Sequence, residues 1–407
     1  MSGVTAPLQR WIFWFAVVVA LLYATVIAVI HIDGRRAAER GEAPLYTDFT
    51  TFYAAALQLR GEPAENLYVP ERMYQAELAA ARATSELPLS DEQLKVIGYA
   101  AWMYPPIGIL VAAPFGYLGY LAAYFAWMAS TLGIYLAAMH AALARRDGWV
   151  WALAAPPVFY NAMYGQTGFL TAGLIGLGLA LVARRPVLAG LCIGLASFKP
   201  HFGILIPLAL VAGDHWKPFG VATITVVAAI ALSIVAWGAD PWYAYIGTLV
   251  HHVGGFAAGA FEWRAMVSVL AAAKMGGMSL DAAWTLQYLA AALAAAATIW
   301  AWRFAGTHEA RRNLAAAVLC SATLLAVPLA YTYDMVLAVP AAAWIWRDLR
   351  ERGGATAEYA LLATSAVLAL VLKPLAYGPG LQFGPLVSLI LFGLALRRLI
   401  AERRTPQ

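Results

Sequence analysis

The chain has 407 residues, of which 62% are hydrophobic and only 12% charged, against a charged share of about 25% in soluble domains. No soluble core encloses that much apolar surface, whereas spanning helices leave it in lipid. The net charge of +5 fits Lys and Arg that hold cytoplasmic loops in place, and it does not call for nucleic acid as a partner.

The first apolar run, Trp11 to Ile30, is too long for a signal-peptide core and lacks a clear small-residue cleavage site behind it. It reads as an uncleaved first span. Apolar stretches of spanning or near-spanning length follow, so that the full set is 11–32, 117–140, 149–164, 167–183, 187–199, 201–213, 218–238, 283–304, 313–331, 335–347, 356–375 and 381–397. The expected fold is an all-α integral membrane protein with about twelve transmembrane helices, a single polytopic domain over 1–407. Several stretches are shorter than the roughly 20 residues of an upright span. The clearest are 187–199 and 201–213, which meet at Lys199-Pro200, and such pieces are tolerated only beside protein or a watery cavity. The two cysteines, Cys192 and Cys320, lie in apolar stretches and make neither a metal spacing nor a disulfide framework.

Basic residues orient the chain. With the N-terminus cytoplasmic, each short turn assigned inside carries a Lys or Arg, among them Arg145, Arg184, Lys217, Arg311, Arg347 and Arg398, as the positive-inside rule expects. Both termini then face the cytoplasm. Arg35, Arg36 and Arg40 depart from the pattern, but they open a long loop, where the rule is weak. That first extracytoplasmic loop, 33–116, mixes charge with apolar residues at helical spacing and reads as short amphipathic helices at the membrane surface, with an apolar interfacial or re-entrant piece over 104–115. A second extracytoplasmic loop spans 239–282.

The unusual polar residues then fall on one face: Asp48, Asn161, Gln166, Lys199, His201, His251, His252, Arg264, Asp334 and Lys373. Asp48 stands among apolar neighbours. A carboxylate partly withdrawn from water suits proton abstraction from a hydroxyl, yet an Asp here also serves as the N-cap of a helix over 49–58. Lys199 is an intramembrane cation, a functional candidate by default and a point-charge partner for phosphate, or a Lys that snorkels from a helix end. Asn161 to Gln166 supplies donors for a polar ligand or forms a turn at Gly165. Tyr331-Thr332-Tyr333-Asp334 suits sugar or lipid-phosphate contacts, although interfacial Tyr is expected anyway. Tyr104-Pro105-Pro106 makes a rigid turn. His251-His252 lacks the i, i+4 spacing of two ligands on one helix face. Phosphate-binding Gly loops, serine-nucleophile motifs and Rossmann fingerprints are absent from the sequence.

In order and spacing, Thr47-Asp48-Phe49 with Tyr53-Ala54-Ala55, Tyr104-Pro105-Pro106, Asn161 with Gly165-Gln166, Gly190 through Gly194 to Lys199-Pro200-His201, and Tyr333-Asp334 resemble glycosyltransferase family 87 over roughly 45–340. The resemblance implies a GT-C type fold with periplasmic interfacial helices, set in the bacterial inner (plasma) membrane. It implies a hexosyltransferase that takes a sugar, mannose in the first place, from a polyprenyl-phosphate donor at the extracytoplasmic face. The sugar passes with inversion to a hydroxyl of a lipid or glycan acceptor. The acid after the first span, here Asp48, is the implied base, and Lys199, with His201 or Arg264, would hold the donor phosphate. Tyr104, Asn161, Gln166, His251, His252, Tyr333 and Asp334 are the expected substrate contacts. His251, His252 and Arg264 are assigned from chemistry alone, since the second loop matches no pattern of the family. No cofactor and no metal are expected. A transporter or flippase of amphipathic solutes is the competing reading, and a glycosidase, if Asp48 and Asp334 meet, a more distant one.

Overall fold

The computed structural model describes residues 6–85, 87–257 and 262–404, and the side chains of all of these but 6–9, 251–254, 256, 257 and 404. These residues form helices joined by short turns; among them there is no strand, only one isolated bridge between Met266 and Tyr331. Helix α1 (Ala6–Glu39) leads into a group of short elements, α2 (Phe49–Gln58), α3 (Pro70–Arg82), α4 (Asp91–Leu94) and α5 (Pro106–Ala112). Then come α6 (Tyr120–Leu143), α7 (Gly148–Ala154), α8 (Pro156–Tyr164), α9 (Gly168–Leu181), α10 (Pro186–Leu195), α11 (Ile206–Ala212) and α12 (Trp216–Trp237). The last third holds α13 (Asp240–Ala257), α14 (Val269–Met275), α15 (Leu280–Ala305), α16 (Glu309–Ala326), α17 (Ala338–Arg352), α18 (Thr356–Tyr377) and α19 (Gly384–Arg404).

Six of these helices, α1, α6, α12, α15, α18 and α19, are long and apolar enough to cross a membrane. Their outer faces carry bare apolar side chains such as Phe15, Ile224, Val235, Leu293 and Val367, as helices that face lipid do. The other six apolar stretches of the sequence also form helix, but in shorter or broken pieces. Proline causes much of the breakage. Ala155 is extended ahead of Pro156, which divides one stretch into α7 and α8. Pro200 follows Lys199 between two 3₁₀ turns, Ala196–Phe198 and Pro200–Gly203. Such pieces survive where protein surrounds them, and α16, buried along Leu314–Ala326, sits deepest, packed by α15, α17 and α19.

The loop after α1 differs from its expected form. Helix α2 does not lie flat on a surface. Nine of its ten residues are buried, because Phe49, Phe52 and Tyr53 face Tyr120, Tyr124, Trp127 and Trp102 while its small residues meet α3 and the 3₁₀ turn Ala113–Tyr117. Only α3 keeps an amphipathic character, burying Met73, Ala76, Glu77 and Leu78. At the opposite end of the bundle, the basic residues that oriented the sequence are tied to acids between helices. Arg311 reaches Glu402 at 2.9 Å, Arg347 and Arg184 share Glu309, and Arg398 bridges Asp348 and Glu358.

Two glycines bring α10 against α12. A Cβ at Gly190 would lie 2.6 Å from Val221 Cβ, and one at Gly194 would lie 2.5 Å from Thr225 Cβ. The pair, four residues apart, makes the small-residue seam by which helices pack in lipid. Gly194→Leu should therefore force α10 off α12, cost about 1–3 kcal/mol and lower the thermal midpoint of the purified protein; an unchanged midpoint would mean that this seam does not hold the helices.

Candidate active site

A cavity of about 720 Å³ opens among α2, α8, α13, α18 and the 3₁₀ turns on either side of Lys199. Its wall carries Asp48, Tyr104, Tyr164, Gln166, Lys199, His201, Tyr331, Tyr333 and Lys373.

Asp48 occupies the N-cap position of α2 but makes no side-chain cap bond. The start of that helix is served by its neighbours: Thr50 N donates to Thr47 O at 2.8 Å, and both Thr hydroxyls lie within bonding distance of Tyr120 Oη. The Asp48 carboxylate is thereby left for the cavity, where Oδ2 accepts from Gln166 Nε2 at 3.2 Å. Burial pushes its pKa above the ordinary aspartate value, while the Gln166 bond and the charge of Lys373 pull part of the way back.

Gln166 is held by the turn Tyr164-Gly165-Gln166. Gly165 has φ +67°, and a Cβ there would lie 2.8 Å from Phe49 Cβ and 2.9 Å from Tyr124. Both backbone and space thus demand glycine. Trp127 Nε1 donates to Gly165 O at 2.9 Å and fixes the turn.

Lys199 is already partnered. Its Nζ lies 2.5 Å from Asp334 Oδ1 and 3.5 Å from Thr167 Oγ1, with the rings of Phe202 and Tyr333 about it at 4.9 and 5.0 Å. The two side chains are 6% and 0% exposed. Asp334 Oδ2 accepts from Tyr331 N at 3.0 Å, so both carboxylate oxygens are engaged. This is a neutral unit in the wall, neither a snorkelling Lys nor a free cation.

The remaining expected residues divide. Tyr104 and Tyr333 line the cavity, and His201 does so beside Phe202. Asp334 stands behind the wall formed by Tyr331, Thr332 and Tyr333. Asn161 is fully buried and does not line the cavity; its Oδ1 accepts from Gly168 N at 2.7 Å, at the start of α9. Arg264 is exposed and outside the cavity lining, although Ala265 belongs to it. His251 and His252 fall on α13, but their side chains lie outside the described residues. Among the described residues, no three His, Cys, Asp or Glu side chains converge as a metal site would require.

Two groups had no assigned role in the sequence. Lys373 Nζ donates to Tyr164 Oη and lies 4.0 Å from the centre of that ring. The signal for it was an intramembrane Lys directly before a proline. Glu77, on α3, is buried behind the wall, accepting from Thr51 Oγ1 at 3.0 Å and Ala100 N at 3.1 Å; burial pushes its carboxyl up to about 7. Nothing in the spacing of α3 distinguishes it from a surface Glu.

The pairing of Lys199 can be tested without an activity. Lys199→Met strands a buried carboxylate and should cost about 3–5 kcal/mol of stability. Adding Asp334→Asn should recover most of it, and denaturation midpoints of single and double variants that fall equally would contradict the pairing.

The model of glycosyltransferase family 87 matches residues 102–328, more than half of the chain. The match takes in Tyr104, Gln166, Lys199 and His201, while Asp48, Asp334 and Lys373 lie beyond it. No curated protein and no solved structure matches significantly. The family match decides for a transferase over a transporter, and the six helices long and apolar enough to cross a membrane fit its setting: the chain belongs to glycosyltransferase family 87 and is a membrane glycosyltransferase.

Proposed function

We propose that the protein moves a hexose, mannose in the first place, from a polyprenyl-phosphate donor to a hydroxyl of a lipid or glycan acceptor, with inversion, and that Asp48 is the base. The observation that carries this reading is the Asp48 carboxylate, which stands at a helix start without capping it and is turned instead into the cavity beside Gln166. A single displacement needs one such group. The acceptor oxygen forms its bond to the anomeric carbon, the bond from that carbon to the phosphate oxygen breaks with its electron pair, and the acceptor proton passes to Asp48. A second free carboxylate, as a glycosidase needs, is not offered by Asp334, since Lys199 and Tyr331 N hold both of its oxygens.

Aromatic side chains suit the sugar, and Tyr104, Tyr331 and Tyr333 line the same space. Lys199 and His201 contribute polar hydrogens to the wall. We further propose one polytopic domain of GT-C type, in which all twelve apolar stretches cross the bacterial inner membrane and both termini are cytoplasmic. The cavity then opens on the extracytoplasmic side, with 33–116 and 239–282 as its covering loops. Supporting this orientation, the arginine–carboxylate ties lie at the other end of the helices, where Lys and Arg belong by the positive-inside rule.

The test is mannose transfer from synthetic polyprenyl-phosphate-mannose by the purified protein. Asp48→Asn should lower turnover by at least about 100-fold with folding intact, whereas full turnover in that variant would remove Asp48 from the reaction. In the wild type, activity should fall as pH drops and the base is protonated. Because burial outweighs Gln166 and Lys373 in setting the Asp48 pKa, the acid limb of kcat/KM should lie above the ordinary aspartate pKa of 3.8.

A further inference from the structure

The transferred group leaves behind a lipid phosphate, and the cavity must meet that charge with a cation. Among the described residues, its lining offers Lys199, His201 and Lys373 as basic groups. Lys199 is balanced by Asp334 within a nearly dry contact, and a paired charge adds little for a second anion. His201 sits against Lys199 and Phe202 in the same wall. Among the described residues, no carboxylate lies within ion-pair distance of Lys373, and its contacts are aromatic, with Tyr164 and Tyr377.

The backbone places Lys373 with some care. Pro374, inside α18, has no N–H to give to the carbonyl of Leu370, one turn earlier. Tyr160 Oη donates to Leu370 O at 2.6 Å and makes good that loss. Four residues on, at the same face of α8, Tyr164 Oη accepts from Lys373 Nζ. Two tyrosines of α8 thus clamp the proline-marked turn of α18, and the second leaves its own hydroxyl hydrogen free to donate. Two residues beyond Tyr164, Gln166 holds Asp48. One turn of chain therefore holds the carboxylate at one end and the cation at the other.

We propose that Lys373, with the Tyr164 hydroxyl as an additional donor, binds the phosphate of the lipid-linked donor and stabilises it as it leaves. The inference rests on the transferase reading above. Its logic is one of charge movement. Before transfer the donor phosphodiester and the Asp48 carboxylate carry one negative charge each; afterwards Asp48 is neutral and the phosphomonoester carries nearly two. One charge passes from Asp48 to the phosphate, and a cation that neither Asp48 nor Asp334 neutralises by direct contact is free to follow it. Lys373 and Asp48 line the same cavity, near enough for the lysine charge to act on the carboxyl.

Binding of citronellyl phosphate, a short prenyl phosphate, tests this on wild type, Lys373→Met and Lys373→Arg, with neutral citronellol as control. The Met variant should lose at least about tenfold in phosphate affinity, as expected for a charge-assisted hydrogen bond. The Arg variant should recover most of that loss, and all three should bind citronellol alike. Undiminished phosphate binding in Lys373→Met, with the wild type binding normally, overturns the inference and leaves the transferase reading standing. Parallel loss of citronellol and phosphate, unrescued by Arg, also overturns it, since Lys373 would then only support the fold. A wild type that does not bind citronellyl phosphate overturns the donor assignment and this inference together.

Discussion

The contact between Lys199 and Asp334 is the constraint on which the rest of the site depends. Isolated, either charge would be too costly for an interior lined by Phe202, Tyr333 and Phe198. Paired at 2.5 Å, with Asp334 also accepting from Tyr331 N, they fasten the break after α10 to the turn that begins α17. The pair removes one positive and one negative charge from the chemistry of the cavity. What remains is a single carboxylate, Asp48, and a single uncompensated cation, Lys373, among the described lining residues. A site that moves one proton and one negative charge needs little more than that.

Geometry between those two groups comes from a turn that tolerates no variation at its centre. Gly165 adopts φ +67° against Phe49 and Tyr124, and it sends Tyr164 toward α18 and Gln166 toward α2. The tyrosines of α8 do double duty, since Tyr160 satisfies the carbonyl that Pro374 leaves bare and Tyr164 meets the neighbouring Lys. Proline, glycine and aromatic hydroxyls together turn two helix ends into a rigid frame, the kind of preorganisation that a stable positioning of reacting groups requires.

Much of this was legible in the sequence. Apolar run lengths mark the six helices long enough to span and the shorter apolar pieces beside them, and proline marks breaks among them, because burial in lipid is a strong and local signal. Asp48, Gln166, Lys199, His201 and Lys373, grouped from their place in the topology, and Tyr104 and Tyr333, expected from the resemblance, do line one cavity. Partnering was not legible. Asn161 is a buried polar residue that serves a helix start, Asp334 is half of an ion pair, and Arg264 stands outside the cavity. Each looks like a ligand contact when read singly, and the partners that engage Asn161 and Asp334, the latter 135 residues from Lys199 in the chain, are not marked in the sequence. The same holds for α2, whose polar-and-apolar mixture suggests a surface helix until the aromatic residues of α6 close over it.

The central claim is that one free carboxylate drives a single displacement, and the configuration of the product tests it most directly. With a donor of defined anomeric configuration, the glycosidic product formed by the wild-type protein can be read from its one-bond carbon–proton coupling by NMR. The account predicts an inverted anomeric centre. A retained one would require a second nucleophilic step, for which Asp334, held by Lys199, is not available, and it would contradict the account.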